Sequence, residues 1–127
     1  SRELVKTVLR DRARAVFQGK VIVRPDAQKT DGRQMTQALL LSRDASMNAK
    51  PELEIYADDV QCAHGSTVGE LSKDAIFYLR SRGIPEAEAR RLLVLAFLDE
   101  AIGLAPLEET RTIFRDLVSG WFAEVAS

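Results

Sequence analysis

The chain predicts a mixed β and α fold laid out in two consecutive halves, with strands before about Leu71 and helices after it. Three observations carry that prediction. In the first half, apolar residues come in short runs of β character separated by turn-forming residues. In the second half, they recur at i, i+3, i+4 and i+7, the spacing of an amphipathic helix. Cap and stop residues bracket the periodic stretches of the second half.

The first half, residues 1–71, contains β-type runs at residues 4–9, 15–17, 21–23, 38–41, 53–56 and 60–62. Between them, Asp31-Gly32 reads as a turn dipeptide, Pro25-Asp26 and Lys50-Pro51 as strand breaks, and Gly19 as a corner or bulge. Runs this short make no stable hairpin alone, so several must stack to share one core. Alternation of period two does not report strand direction. A parallel β-helix and an antiparallel sheet are therefore both open at this point.

The second half, residues 72–127, reads as a helical subdomain of about three helices. Ser72 is a good N-cap, Asp74 complements the positive end of the helix dipole, and Gly83 can take the left-handed conformation that stops a helix. The first helix is expected over residues 73–82. Pro85 restarts the chain at a favoured first helical position, with Glu86 and Glu88 in the first turn. Ala89, Leu92, Leu93, Ala96, Phe97, Ala101 and Leu104 then mark one buried face. Residues 92–98 are apolar at every position, so this helix is either sandwiched inside its own subdomain or covered by a partner. Pro106 ends the linker. A third helix from about Glu108 is expected to bury Phe114, Leu117, Val118, Trp121, Phe122 and Val125.

Composition narrows the function classes. At 127 residues the chain is the size of one domain, with 18 basic and 19 acidic residues and a formal net charge of −1. No strong field favours nucleic acid or an anionic membrane. A single cysteine forms no internal disulfide and suits the reducing cytoplasm, which is the expected location. The longest apolar run, residues 92–98, falls far short of the ~20 residues that span a bilayer. Gly19-Lys20 lacks the flanking residues of a phosphate-binding loop, and the stretch from Gly65 to Gly69 lacks its lysine, so ATP hydrolysis is not expected of this chain. No G-x-S-x-G elbow is present, and one histidine leaves little basis for a catalytic triad. Asp58-Asp59 is two adjacent carboxylates that point apart, the pattern of a solvated turn rather than of a hard-metal site.

The most informative residues are the only cysteine, Cys62, and the only histidine, His64. In an extended strand, positions i and i+2 share a face, so thiol and imidazole could touch one iron or one cluster edge. Two ligands do not complete a tetrahedral set, and the remainder would come from another chain or from sulfide. The competing reading is structural, since a lone Cys often fills a core.

The sequence NAKPELEIYADDVQCAHGSTVGEL (residues 48–71), followed by FYLRSRGIPEAEARRLL (residues 77–93) and preceded by RAVFQGKVIVRPDAQKTDGRQ (residues 14–34), resembles the C-terminal region of the SufB/SufD family of iron–sulfur cluster assembly proteins. Ser66 stands where an HGATVG form of the motif has alanine, a conservative departure. The CAHGSTVG segment places the chain on the SufD side of the family rather than the SufB side. The resemblance implies the last coils of a right-handed parallel β-helix over residues 1–71, followed by the helical subdomain. It implies a scaffold subunit and not an enzyme. Such a subunit pairs with SufB through the β-helix and holds the SufC ATPase on its helices, and SufC closing on ATP would act as a lever on the interface. Neither nucleic acid nor membrane is an expected partner. His64 would stand at the SufB interface with Cys62 as its neighbour, both near a nascent iron–sulfur cluster that forms only in the complex; the isolated chain is expected to carry no cofactor. Arg80, Arg82, Gly83 and Ile84, a tight glycine turn with a charged rim and an apolar anchor, are the expected SufC contact. The alternatives are a SufB-like paralogue and a β-solenoid interaction module without a metal role.

Overall fold

The structure is a computed structural model that describes residues 1–126. The chain divides between Glu70 and Leu71 into two compact units. The first is built of five strands: β1 (Arg2–Leu9), β2 (Arg14–Val23), β3 (Asp31–Leu40), β4 (Ser46–Ile55) and β5 (Gln61–Glu70). Every pairing is parallel. The odd strands form one sheet in the order β1-β3-β5, and β2 and β4 form another. Arg2 faces Arg33, Arg14 faces Ser46 and Asp31 faces Gln61, so the chain returns to the same sheet after a circuit of about thirty residues.

Side-chain alternation explains why these segments become strands. Along β2, residues 15, 17, 19, 21 and 23 are the covered set and residues 14, 16, 18, 20 and 22 the exposed set, as period two requires. On the exposed face, Lys20 reaches Glu54 at 2.7 Å and Glu52 at 3.5 Å across the β2–β4 pair. The hydrogen bond to Glu54, more than any other influence, raises the Lys20 ammonium above its ordinary range. On the covered face, a Cβ placed on Gly19 would lie 2.5 Å from Gln34 Nε2 and 2.7 Å from the Phe17 ring. The Gln34 side chain of β3 reaches across to β2 there, and a larger residue at position 19 would have to displace it or the Phe17 ring.

Four expectations about the strands are corrected. Gly19 is neither corner nor bulge: residues 15–17 and 21–23 belong to one continuous strand, β2, and its glycine serves close approach. Asp31-Gly32 does not turn the chain but opens β3, with Gly32 buried. Lys50-Pro51 does not break β4, because that strand lies at an edge of its sheet, where a proline's missing N–H need leave no ladder bond unmade. β5 continues to Glu70, well past residue 62, since its glycines and hydroxyl residues hide the pattern. The true corners stack on one another. Asp11 and Lys29 take positive φ (56° and 66°), Ser42 Oγ donates to the Asp11 carbonyl at 2.5 Å, and Lys29 N donates to the Asp59 carbonyl at 2.7 Å. Pro25-Asp26 is a turn as expected.

The second unit is α1 (Lys73–Ser81), α2 (Glu86–Ile102) and α3 (Glu108–Ala126). The Ser72 side chain accepts a hydrogen bond from Ala75 N at 3.2 Å, and Gly83, at φ 87°, supplies the left-handed residue after α1. Pro85 is the N-cap of α2 rather than its first helical residue. α2 packs against both α1 and α3. Its two fully buried residues are Ala89 and Val94; Val94 stands outside the face the periodicity marked, whereas Leu92, Ala96 and Leu104 of that face are exposed. A helix with a neighbour on two sides buries side chains around more than one face. On α3, Val118, Trp121 and Phe122 are half-buried, and the Trp121 and Phe122 rings meet edge to face at 4.9 Å. Phe114 and Leu117 are exposed, Leu117 by 64%, contrary to expectation, and the side chain of Val125 lies outside the described residues.

Two substitutions test this architecture. Gly19→Val should lower unfolding free energy by about 1–3 kcal/mol through overpacking, read from the midpoint of urea unfolding; an unchanged midpoint would mean the sheets do not meet at this position. Ser72→Ala should cost about 1 kcal/mol by removing the α1 cap, with amide exchange accelerated first at Ala75.

Candidate functional site

Cys62 and His64 share a face if the segment is extended, and the structure makes it a strand. Both lie on β5, where Cys62 is paired with Gly32 and His64 with Gln34. In-register neighbours of parallel strands point to the same side, so Cys62, His64 and Ser66 continue the row that β3 begins with Gly32, Gln34 and Thr36. That row faces the second sheet, because Gln34 is the residue that Gly19 approaches. Cys62 is half-buried: its Sγ lies 3.5 Å from where a Gly32 Cβ would be. His64 is exposed. The reason is positional, since β5 is the last strand of its sheet and, among the described residues, no strand of the second sheet follows β4 to cover it.

Cys62, Ala63, His64 and Gly65 line an open depression with Arg33, Gln34 and Met35. On the opposite side of β5, Met35 lies over Gly65, where a Cβ would come within 2.7 Å of Met35 Cε. What the depression offers chemically is one thiol and one imidazole, a soft and a borderline donor suited to iron. Among the described residues no group of three or more His, Cys, Asp and Glu side chains gathers to hold a metal. A metal touching this row would need the rest of its ligands from elsewhere.

Beneath His64 lies a feature that sequence reasoning missed. Gln34 is 3% exposed, its Nε2 donates to Glu3 Oε1 at 3.3 Å, and its Oε1 has no hydrogen-bond partner among the described residues. Glu3 and His64 are its register neighbours on either side, so the three form one line across β1, β3 and β5. Thr36, next along the row, is also buried with its hydroxyl oxygen unpartnered. A buried acceptor left unpaired costs about 1–3 kcal/mol, so such a group in an otherwise regular sheet calls for a reason. The signal available beforehand was a polar residue at an inward position of a period-two strand.

The second expected site is the turn between α1 and α2. Arg80 pairs with Glu86 at 3.3 Å, and the Arg82 guanidinium lies 4.9 Å from the centre of the Tyr78 ring. Gly83 has open space around its Cα, and Ile84 is half-buried. Arg91, one turn into α2, makes a two-pronged pair with Glu88 at 2.8 and 2.6 Å. Those hydrogen bonds hold the Glu88 carboxyl below its ordinary range against the opposing effect of desolvation. Phe77 and Tyr78 on α1 are large and exposed, and the sequence had not marked them as surface. The turn therefore presents cations, aromatic faces and an aliphatic anchor together.

No helix among the described residues is long and apolar enough to cross a membrane. Residues 1–97 match the family described as SUF system FeS cluster assembly, SufBD core domain. The chain is 49% identical over 100 residues to the iron–sulfur cluster assembly protein SufD of Escherichia coli, covering 79% of this chain and 24% of that protein. It is 44% identical over 117 residues to an iron–sulfur cluster assembly SufBD family protein of Synechocystis, covering 92% of this chain and 26% of the relative. Identity to the SufD of Bacillus subtilis is 37% over 101 residues, covering 80% and 23%. The chain thus spans about a quarter of the length of the relatives it matches. With the family match extending through both the Cys62–His64 strand and the α1–α2 turn, the chain belongs to the SufB/SufD family of iron–sulfur cluster assembly proteins, as a C-terminal region of it.

Proposed function

We propose that this chain is the C-terminal part of a SufD-like scaffold subunit of an iron–sulfur cluster assembly complex. In this reading its strands are the last coils of a right-handed parallel β-helix. A SufB-type partner pairs with that β-helix, and the SufC ATPase docks on the helical unit. The observation that carries the reading is the placement of Cys62 and His64 in one row of the edge strand β5, the imidazole exposed. A strand at a sheet edge offers unpaired N–H and C=O groups to another chain. Paired there, β5 would bring His64 and Cys62 against the partner's surface, where donors from the second chain can complete a site that two ligands leave open. Sulfur, electrons and ATP hydrolysis would come from other proteins, leaving this chain to supply a ligand and a surface. The cytoplasm, with its reduced thiols, is the compartment in which Cys62 could serve this way.

A structural solenoid without a metal role is favoured by a different observation, the absence among the described residues of any third potential ligand near the pair. The two readings separate experimentally. In the assembled complex of full-length proteins, His64→Ala should cut cluster formation from iron and sulfide to a small fraction of the wild-type yield, at matched subunit stoichiometry and unchanged thermal stability. Cys62→Ser should cause a smaller loss. Equal yields from wild type and His64→Ala would leave the solenoid reading standing.

The helical unit carries its own test. Ile84, half-buried, follows Gly83 in a turn flanked by the exposed Phe77 and Tyr78 and by the Arg80–Glu86 pair. Ile84→Asp in the full-length protein should abolish capture of the ATPase subunit in a pull-down while the circular dichroism spectrum is retained. Undiminished capture would move the docking surface away from this turn, most directly to the exposed Ile113, Phe114 and Leu117 of α3.

A further inference from the structure

The unpartnered Gln34 carbonyl and the exposed imidazole of His64 are register neighbours on adjacent parallel strands, side by side in one row. We propose that Gln34 is the positioning residue for His64: its Oε1 accepts a hydrogen bond from one ring N–H, fixing the tautomer and leaving the lone pair of the other ring nitrogen free to face outward. This rests on the reading of His64 as a contact for iron, and adds how a lone exposed imidazole is kept in donor form.

Three facts support it. The orientation of the Gln34 amide is dictated by chemistry, because the Glu3 carboxylate at 3.3 Å only accepts and so must face the NH2 group. The carbonyl then remains as the free end. That oxygen is sealed from water and unpaired among the described residues, so no solvent competes for it. Gln34 and His64 also line the same depression, and neighbouring strands sit about 4.8 Å apart, within reach of a rotation of the histidine side chain. Glu3 completes a relay in which a carboxylate orients an amide and the amide orients an imidazole. Histidines that bind metals almost always have the second ring nitrogen hydrogen-bonded, which sets ring orientation and donor strength. The amide fulfils that role here without placing a second negative charge beside the ring.

The test uses the full-length protein labelled with ¹⁵N-histidine, with the His64 signals assigned by their loss in His64→Gln. At alkaline pH the two ring ¹⁵N shifts report the tautomer. The wild type should show one tautomer. Gln34→Met, which keeps the volume and removes the acceptor, should show both, and the paired exchange Glu3→Gln with Gln34→Glu, which keeps a donor–acceptor contact across β1 and β3 and an acceptor beside His64, should restore one. Two tautomers in the wild type, or an unchanged single tautomer in Gln34→Met, would overturn the proposal, and the wild-type measurement does so even if the variant does not fold. Cluster yield is measured on the same samples in the assembled complex. Tautomer mixing with a reduced yield supports both the positioning role and the role of His64 toward iron; mixing with an undiminished yield supports the positioning role and removes the iron role alone.

Discussion

In-register parallel pairing is the constraint on which the rest of the strand unit depends. Because β1, β3 and β5 pair residue for residue, each inward position is repeated on the next strand, and a side chain's surroundings are set by the residues one circuit before and after it. Gly32 lies beside Cys62, Gln34 gives His64 its neighbour, and Gly19 on the facing sheet lies against the Gln34 amide. A slip of one residue would turn all of them to the other face together. The chemistry of the row is thus a property of the stack and not of β5 alone.

The helical unit is organised by a different rule. α2 lies between α1 and α3 and buries Ala89 and Val94 completely, while the outer helices each keep large apolar side chains in solvent, Phe77 and Tyr78 on α1 and Ile113, Phe114 and Leu117 on α3. Single exposed apolar residues are ordinary, but these recur along two helices.

Much of this was legible in the sequence, and the failures have physical causes. The switch from period two to helical period fell where the structure changes from β5 to α1, and Ser72 and Gly83 act as the cap and stop that their chemistry suggests. Glycine and proline misled the reading of the first half. Gly19, Gly32 and Pro51 read as punctuation because local propensity assigns them to turns, whereas in a parallel stack a glycine can mark close approach and a proline can sit on an edge strand. Gln34 escaped notice because the apolar run read in this region begins at residue 38, whereas β3 begins at Asp31 and carries the glutamine inward. Val94 escaped because a wholly apolar stretch has no face to read. The Cys62–His64 geometry was legible from i, i+2 spacing alone; the neighbours one circuit away were not, since they are about thirty residues distant in the chain.

Pro51 gives the two sheets unequal margins. β4 carries a residue that has no donor to offer, whereas β5 carries no proline across its ten residues. An edge strand with a proline is a poorer template for strand addition than one without. The two sheets thus end on strands of unlike backbone, one with a missing N–H and one with its donors complete.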